Sequence, residues 1–109
     1  MKPYASSSRF LKYQHEQAYL LLKGNHAADV TPLPDVLPWS YTGNRLHPTQ
    51  KPVPSLKPLI ETFTRRGELV LDPFCGSGST LLAAKLLGRR SLGVELDPAF
   101  CRTARQRLN

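Results

Sequence analysis

The sequence predicts an α/β architecture, a parallel sheet with helices on both faces, and three observations carry that prediction. Apolar residues in the second half switch between helical spacing and short strand-like runs in the order helix, strand, helix, strand, helix. Strands alternating with helices pair in parallel, because each helix carries the chain back to the start of the next strand. The run Leu69-Val70-Leu71 passes through a glycine-rich turn directly into a helix. The chain has 109 residues, enough for one small domain and short of the larger sheet of most complete α/β enzymes.

Residues 1–13 read as irregular, since Ser6-Ser7-Ser8 breaks any periodicity. Gln17 to Lys23, rich in Tyr and Leu and stopped by Gly24-Asn25, reads as a strand. Residues 24–54 form a long connection holding Pro32, Pro34, Pro38, Pro48, Pro52 and Pro54. Each proline fixes φ and pushes its predecessor to extended geometry, so no helix is expected there. A structureless stretch of that length in a compact domain is usually functional. Leu56, Leu59, Ile60 and Phe63 then recur at helical spacing. With Ser55 as N-cap, Pro58 falls in the first turn, where its missing N–H does no harm, and Gly67 ends the helix. Thr80 to Leu87 is the next helix, with Leu81, Leu82, Ala84 and Leu86 as packing candidates and Gly88 as its stop. Ser91 to Glu95 is the following strand. Asp97-Pro98 opens the last helix, an N-cap followed by proline at the first position, and that helix runs to about Leu108. The chain thus divides into residues 1–46, a strand and proline-rich connection, and residues 47–109, an αβαβα unit.

Composition narrows the class. Hydrophobic residues make up 40% of the chain and the mean hydropathy is -0.33, a balance that packs rather than stays disordered. No apolar run approaches the roughly 18 residues of a membrane span, and Met1-Lys2-Pro3-Tyr4 is not followed by the apolar core of a signal peptide. Cys75 and Cys101 are the only cysteines and have no CxxC spacing, so no disulfide framework is expected and the reducing cytoplasm is the default compartment. His15, His26 and His47 are scattered, and no His/Cys cluster has metal-ligand spacing, so no metal is expected. The net charge is +7, with 10 basic and 5 acidic residues in 51–109. Solvated helix faces account for such an excess as well as a phosphate-binding surface does.

The chemistry sits in Leu69-Val70-Leu71-Asp72-Pro73-Phe74-Cys75-Gly76-Ser77-Gly78-Ser79-Thr80. A strand ends at an acidic residue, a glycine-rich turn follows, and a helix begins. Gly76 and Gly78 adopt conformations that other residues resist, which lets backbone N–H groups approach a ligand. Glu95 stands 19 positions after Gly76, where a ribose-binding carboxylate is expected. Each carboxylate oxygen accepts from a neighbouring hydroxyl. The turn is not a P-loop, since no Lys-Ser/Thr follows it at the required spacing. Leu81 stands where the third glycine of the dinucleotide fingerprint would be, so a pyrophosphate fits less well than an adenosine ligand without phosphates. An ordinary strand-to-helix turn is the competing reading of these residues alone.

A second element, His47-Pro48-Thr49-Gln50-Lys51-Pro52, lies just before the first helix of the αβαβα unit. With it, the sequence resembles the DNA amino-methyltransferases that modify adenine N6 or cytosine N4, in the class whose catalytic half precedes the cofactor half. HPTQKP, then VLDPFCGSGST, then a basic turn and GVELDP match that class's cofactor end over residues 45–108. Residues 15–24 look like a strand that precedes this region in the family. The resemblance implies a partial Rossmann-like methyltransferase fold, S-adenosylmethionine as cofactor and DNA as partner. It implies that Asp72, Phe74, Gly76, Ser77 and Gly78 line the cofactor site and that Glu95 holds the ribose hydroxyls. It also implies that the His47–Pro52 loop closes over the methionine end, with His47, Thr49 and Lys51 as contacts. An ammonium or a helix N-terminus suits the cofactor's carboxylate.

The family's catalytic motif is an Asp, Asn or Ser followed by Pro-Pro and an aromatic. Leu37-Pro38-Trp39 and Asp72-Pro73-Phe74 each have a single proline, so no residue is assigned a catalytic role. The sequence therefore reads as a cofactor-binding fragment, expected to be inactive alone: a truncation, a remnant or one half of a split enzyme. A second chain carrying the catalytic half, or a homo-oligomer, is the partner this implies besides DNA. A non-catalytic module binding nucleic acid or a partner subunit is the alternative from a different class, and a methyltransferase for RNA or a small molecule is a third. Cys75 follows Phe74 rather than a proline, against a role as the nucleophile of a cytosine carbon-5 enzyme.

Overall fold

The computed structural model describes residues 15–24, 32–39, 46 and 50–109. Its regular elements run in the order helix α1 (Val53–Phe63), strand β1 (Leu69–Asp72), helix α2 (Ser79–Leu86), strand β2 (Arg90–Gly93) and helix α3 (Pro98–Leu108). The strands pair in parallel, with Leu69 opposite Arg90 and Asp72 opposite Gly93. Two backbone bonds carry the pairing past the carboxyl ends of both strands: Val94 N–H donates to Asp72 O at 2.9 Å, and Cys75 N–H to Val94 O at 2.9 Å.

Several boundaries follow the sequence reading. Asp97 Oδ1 accepts from the Ala99 amide at 2.8 Å, with Pro98 at the first helical position. This satisfies one of the helix's orphan donors, and proline has no donor there to lose. Gly88 follows α2 at φ +73°, and Gly67 turns at φ +83° with its amide on Gly88 O at 2.9 Å.

Other details differ. α1 starts at Val53 after an extended Pro52, so Pro54 rather than Pro58 occupies the first turn and Pro58 lies inside the helix. Ser55 does not cap. It is buried, and its hydroxyl donates to Pro38 O at 2.7 Å, tying the proline-rich connection to α1. α1 ends at Phe63, four residues before Gly67. The expected strand at 17–23 is not one: residues 15–23 carry no regular structure, and Tyr19 and Leu21 are each 90% exposed. A strand is defined by a neighbour that accepts its ladder, and the two-stranded sheet gives this segment none. Much of the connection at 24–54 lies outside the described residues.

The core lies between helices. Ile60 of α1 packs with Ala83 and Ala84 of α2, and Val53, Leu56, Val70 and Leu87 surround them. Ala83 and Ala84 are fully buried; their small side chains let α1 and α2 approach closely. The other face of the sheet is open among the described residues, since Leu69, Leu71 and Leu92 are 52%, 59% and 54% exposed. The α/β class and parallel pairing are as expected, while the described helices cover one face of these two strands. Arg89 closes the end away from the glycine turn, donating from Nε to Thr64 Oγ1 at 3.0 Å and from Nη2 to Thr64 O at 2.7 Å.

α3 meets the start of α2 at Gly78. This residue has φ +84°, and a Cβ there would stand 2.9 Å from Ala104 Cβ. Gly78→Ala therefore combines a left-handed backbone with a clash, and lowers the unfolding free energy by about 2 kcal/mol. Gly67→Ala meets nothing within 4 Å and loses only the backbone share, about 1 kcal/mol. Urea midpoints check both, and equal midpoints for the two variants would contradict the Gly78–Ala104 packing.

Candidate functional site

The carboxyl ends of β1 and β2 and the amino end of α2 meet at the turn 73–78. Open α/β sheets present ligands at this end, where the strands stop and helix donors begin. Asp72 closes β1, and its Oδ1 accepts from the Phe74 amide at 3.1 Å, an Asx turn that bends the chain out of the strand. Phe74 is thrown outward and is 89% exposed. Gly76 follows at φ +51° and Gly78 at φ +84°, with the Gly78 amide on Cys75 O at 2.8 Å. Gly78 is the N-cap of α2 and offers no side-chain cap, so the first amides of that helix have no side-chain acceptor at their N-cap.

Glu95 pins this turn. It lies just beyond β2, and its Oε2 accepts from the Gly76 amide at 2.8 Å while Oε1 accepts from the Asp97 amide at 3.1 Å. One carboxylate thus fixes both the glycine turn and the entry to α3. Charge-assisted bonds of this kind are shorter and stronger than neutral ones.

An open cleft of about 100 Å³ lies at the turn, a shallow recess smaller than the roughly 300–1,000 Å³ of most small-molecule sites. Lys51, Asp72, Phe74, Gly76 and Ser77 line it. The structure therefore gathers five of the residues singled out in the sequence around one space. Gly78 and Glu95 border it at the turn without lining it, Glu95 through its bond to the Gly76 amide. His47 and Thr49 lie outside the described residues. The Lys51 ammonium is 2.7 Å from Glu16 Oε2 and 5.6 Å from the centre of the Trp39 ring, so a carboxylate already sits on the cation at the cleft. Both partners of that ion pair are about two-fifths exposed, and exposed pairs add little stability.

Sequence reasoning missed Gln50, Ser79 and Thr80, which also line the cleft. Their positions inside HPTQKP and next to Gly78 are the signals that pointed to them. It left the basic excess of 51–109, which includes Arg107, open between solvated helix faces and a phosphate-binding surface. Arg107 Nη1 donates to Ser77 O at 2.9 Å, Ser77 Oγ at 3.1 Å and Ser79 Oγ at 3.0 Å. Its partners lie about thirty positions away along the chain, so no local pattern announces it.

Burial pushes the Cys75 thiol up from its ordinary pKa, and the nearby carboxylates of Asp72 and Glu95 push it further. The Cys101 thiol donates to Glu95 O at 3.3 Å. Both cysteines are free. Among the described residues, no three His, Cys, Asp or Glu side chains gather as a metal site would require. No described helix is long and apolar enough to cross a membrane.

Comparison with known proteins places this geometry. The family model N6_N4_Mtase, described as DNA methylase, matches residues 2–106. YubD of Escherichia coli (strain K12), a methylase by name, is 55% identical over 107 residues, which is 98% of this chain and 47% of YubD. The crystal structure of an M1.HpyAVI–SAM complex superposes with a TM-score of 0.59 at 41% identity, over 64% of this chain and 34% of that one. The cytosine-N4-specific PvuII DNA methyltransferase superposes with a TM-score of 0.56 at 28% identity, over 62% of this chain and 24% of that one. The chain spans about half the length of YubD and a smaller share of the solved enzymes. With almost its whole length inside the family match, and a strand, glycine turn and pinned helix to account for it, the chain belongs to the N6/N4 DNA methylase family.

Proposed function

We propose that this chain is the S-adenosylmethionine-binding part of a DNA methyltransferase acting on adenine N6 or cytosine N4. The observation that carries the reading is the Gly76–Glu95 bond. It holds a glycine turn open beside Asp72, Phe74 and Lys51, in a chain similar to a protein solved with SAM. The residues fit such a ligand. The exposed Phe74 ring offers a flat apolar face to an adenine. Glu95 has spare lone pairs beyond its two backbone bonds, and these suit ribose hydroxyls. Lys51, and α2's amides with Ser77, Gly76 and Gly78 shaping their approach, suit a carboxylate. That role requires the Lys51 ammonium to leave Glu16. His47 and Thr49 would close the methionine end, making residues 47–109 the cofactor unit.

When bound, the cofactor supplies a methyl group on a positively charged sulfur. The chain's own part is to hold and orient it, with the Asp72 carboxylate at the cleft to favour positive charge. Reading the base requires an aromatic and acceptor pocket for a flipped nucleotide, and the Pro-Pro-aromatic motif that resemblance ties to this step is not in the sequence. DNA is the proposed partner, in agreement with the +7 charge, and the cytoplasm the proposed compartment. The open leucine face of the sheet favours a second reading alongside this one. Leu69, Leu71 and Leu92 would be covered by the catalytic half of a methyltransferase, on the same or another chain, or by a second copy.

Isothermal titration tests the cofactor reading. S-adenosylmethionine and S-adenosylhomocysteine bind the folded chain, Glu95→Ala weakens both by about tenfold or more, and no methyl group reaches DNA from the chain alone. Absence of binding to a sample shown to be folded by circular dichroism would overturn it.

The raised Cys75 pKa argues against a thiolate nucleophile in this cleft. A thiol that releases its proton later in the folded chain favours the folded state below the unfolded thiol's pKa, and that contribution is lost as pH rises through the folded value. Iodoacetamide labelling, followed by peptide mapping, is expected to reach half its maximal rate at Cys75 at a higher pH in the folded chain than in urea. A midpoint at or below that of the unfolded chain contradicts it.

A further inference from the structure

One face of α3 forms the rear wall of the site. Cys101, Ala104 and Arg107 are spaced by three, so they share a face of the helix. Cys101 Sγ reaches Glu95 O, Ala104 packs on Gly78, and Arg107 reaches Ser77 and Ser79. The helix thus touches both halves of the cofactor turn, the glycines and the carboxylate, from the side away from the cleft.

We propose that Arg107 is a positioning residue of this site: one guanidinium nitrogen, bonded to Ser77 O, Ser77 Oγ and Ser79 Oγ, fixes the Ser77–Ser79 turn in the shape that binds the cofactor. Ser77 and Ser79 are 3% and 5% exposed, so their polar atoms cannot exchange freely into water when the guanidinium leaves. Buried polar atoms without partners are costly, and the turn moves to find new ones. Serine hydroxyls beside a helix start are natural acceptors for its first amides. Arg107 holds both hydroxyls on itself, and Gly78 at the N-cap has none to offer. The cation therefore does two things at once. It keeps the turn rigid, and it keeps the neighbouring hydroxyls from competing with a ligand for the amino end of α2. This rests on the cofactor reading above.

The test compares Arg107→Met and Arg107→Lys with the parent chain. Methionine keeps most of the volume and has no donor. Lysine keeps the charge and puts three donors on one nitrogen, while the two hydrogens of Nη1 are shared among three acceptors. Arg107→Met is expected to speed amide hydrogen exchange at 77–80 by about tenfold, with the α3 amides still protected, and to raise the dissociation constant for S-adenosylmethionine by about tenfold. Arg107→Lys is expected to recover most of both. Unchanged exchange at 77–80 in Arg107→Met, or a lysine variant as impaired as the methionine one, would overturn the proposal. If the methionine variant does not fold, Ser77→Ala and Ser79→Ala each remove one of the bonds and are expected to speed exchange at the turn singly. If the parent chain binds no cofactor, that reading fails, while exchange in the four variants still decides whether Arg107 holds the turn.

Discussion

The hydrogen bond from the Gly76 amide to Glu95 sets the geometry on which the rest of the site depends. A parallel strand pair has no hairpin to close its end, so something must join the chain leaving one strand to the chain leaving the other. Here the backbone ladder continues to Val94 and Cys75, and the Glu95 carboxylate completes it by taking an amide from the turn and another from Asp97. The glycines are needed because the chain must reverse into a helix within a few residues, at φ values in the left-handed region. Arg107 and Ala104 then support the same turn from α3.

The fold around this turn is economical and one-sided. Ile60, Ala83 and Ala84 make a small core between α1 and α2, and the outward leucines of both strands stay half open. A body this small buries a smaller share of its surface than a full domain. The chain matches about half of YubD. Among the described residues the sheet shows an exposed apolar face, and the described helices cover the other.

Much of this was legible in the sequence because its signals are local. Asp97-Pro98 has one physical meaning, an N-cap with proline behind it, and the structure shows both. Asp72 through Gly78 read as a strand-to-helix turn because acidic, aromatic and glycine residues fall at fixed offsets. What failed was non-local. Gln17 to Lys23 has strand composition, but composition does not supply the neighbouring strand. Ser55 looked like a cap and instead reaches Pro38, seventeen positions back. Glu95 was expected as a ribose carboxylate, yet its bonds to the Gly76 and Asp97 amides needed coordinates. Arg107 was hidden among other arginines, because only the packing of α3 brings it to Ser77.

The central claim is that residues 72–80, pinned by Glu95, form the cofactor site. Titrating ¹⁵N-labelled protein with S-adenosylhomocysteine tests it most directly, amide by amide. The account predicts saturable shifts concentrated at Phe74, Gly76, Ser77, Ser79 and Thr80 and at Glu95, with the far end near Thr64 and Arg89 unmoved. Saturable shifts elsewhere with the turn unmoved would contradict it.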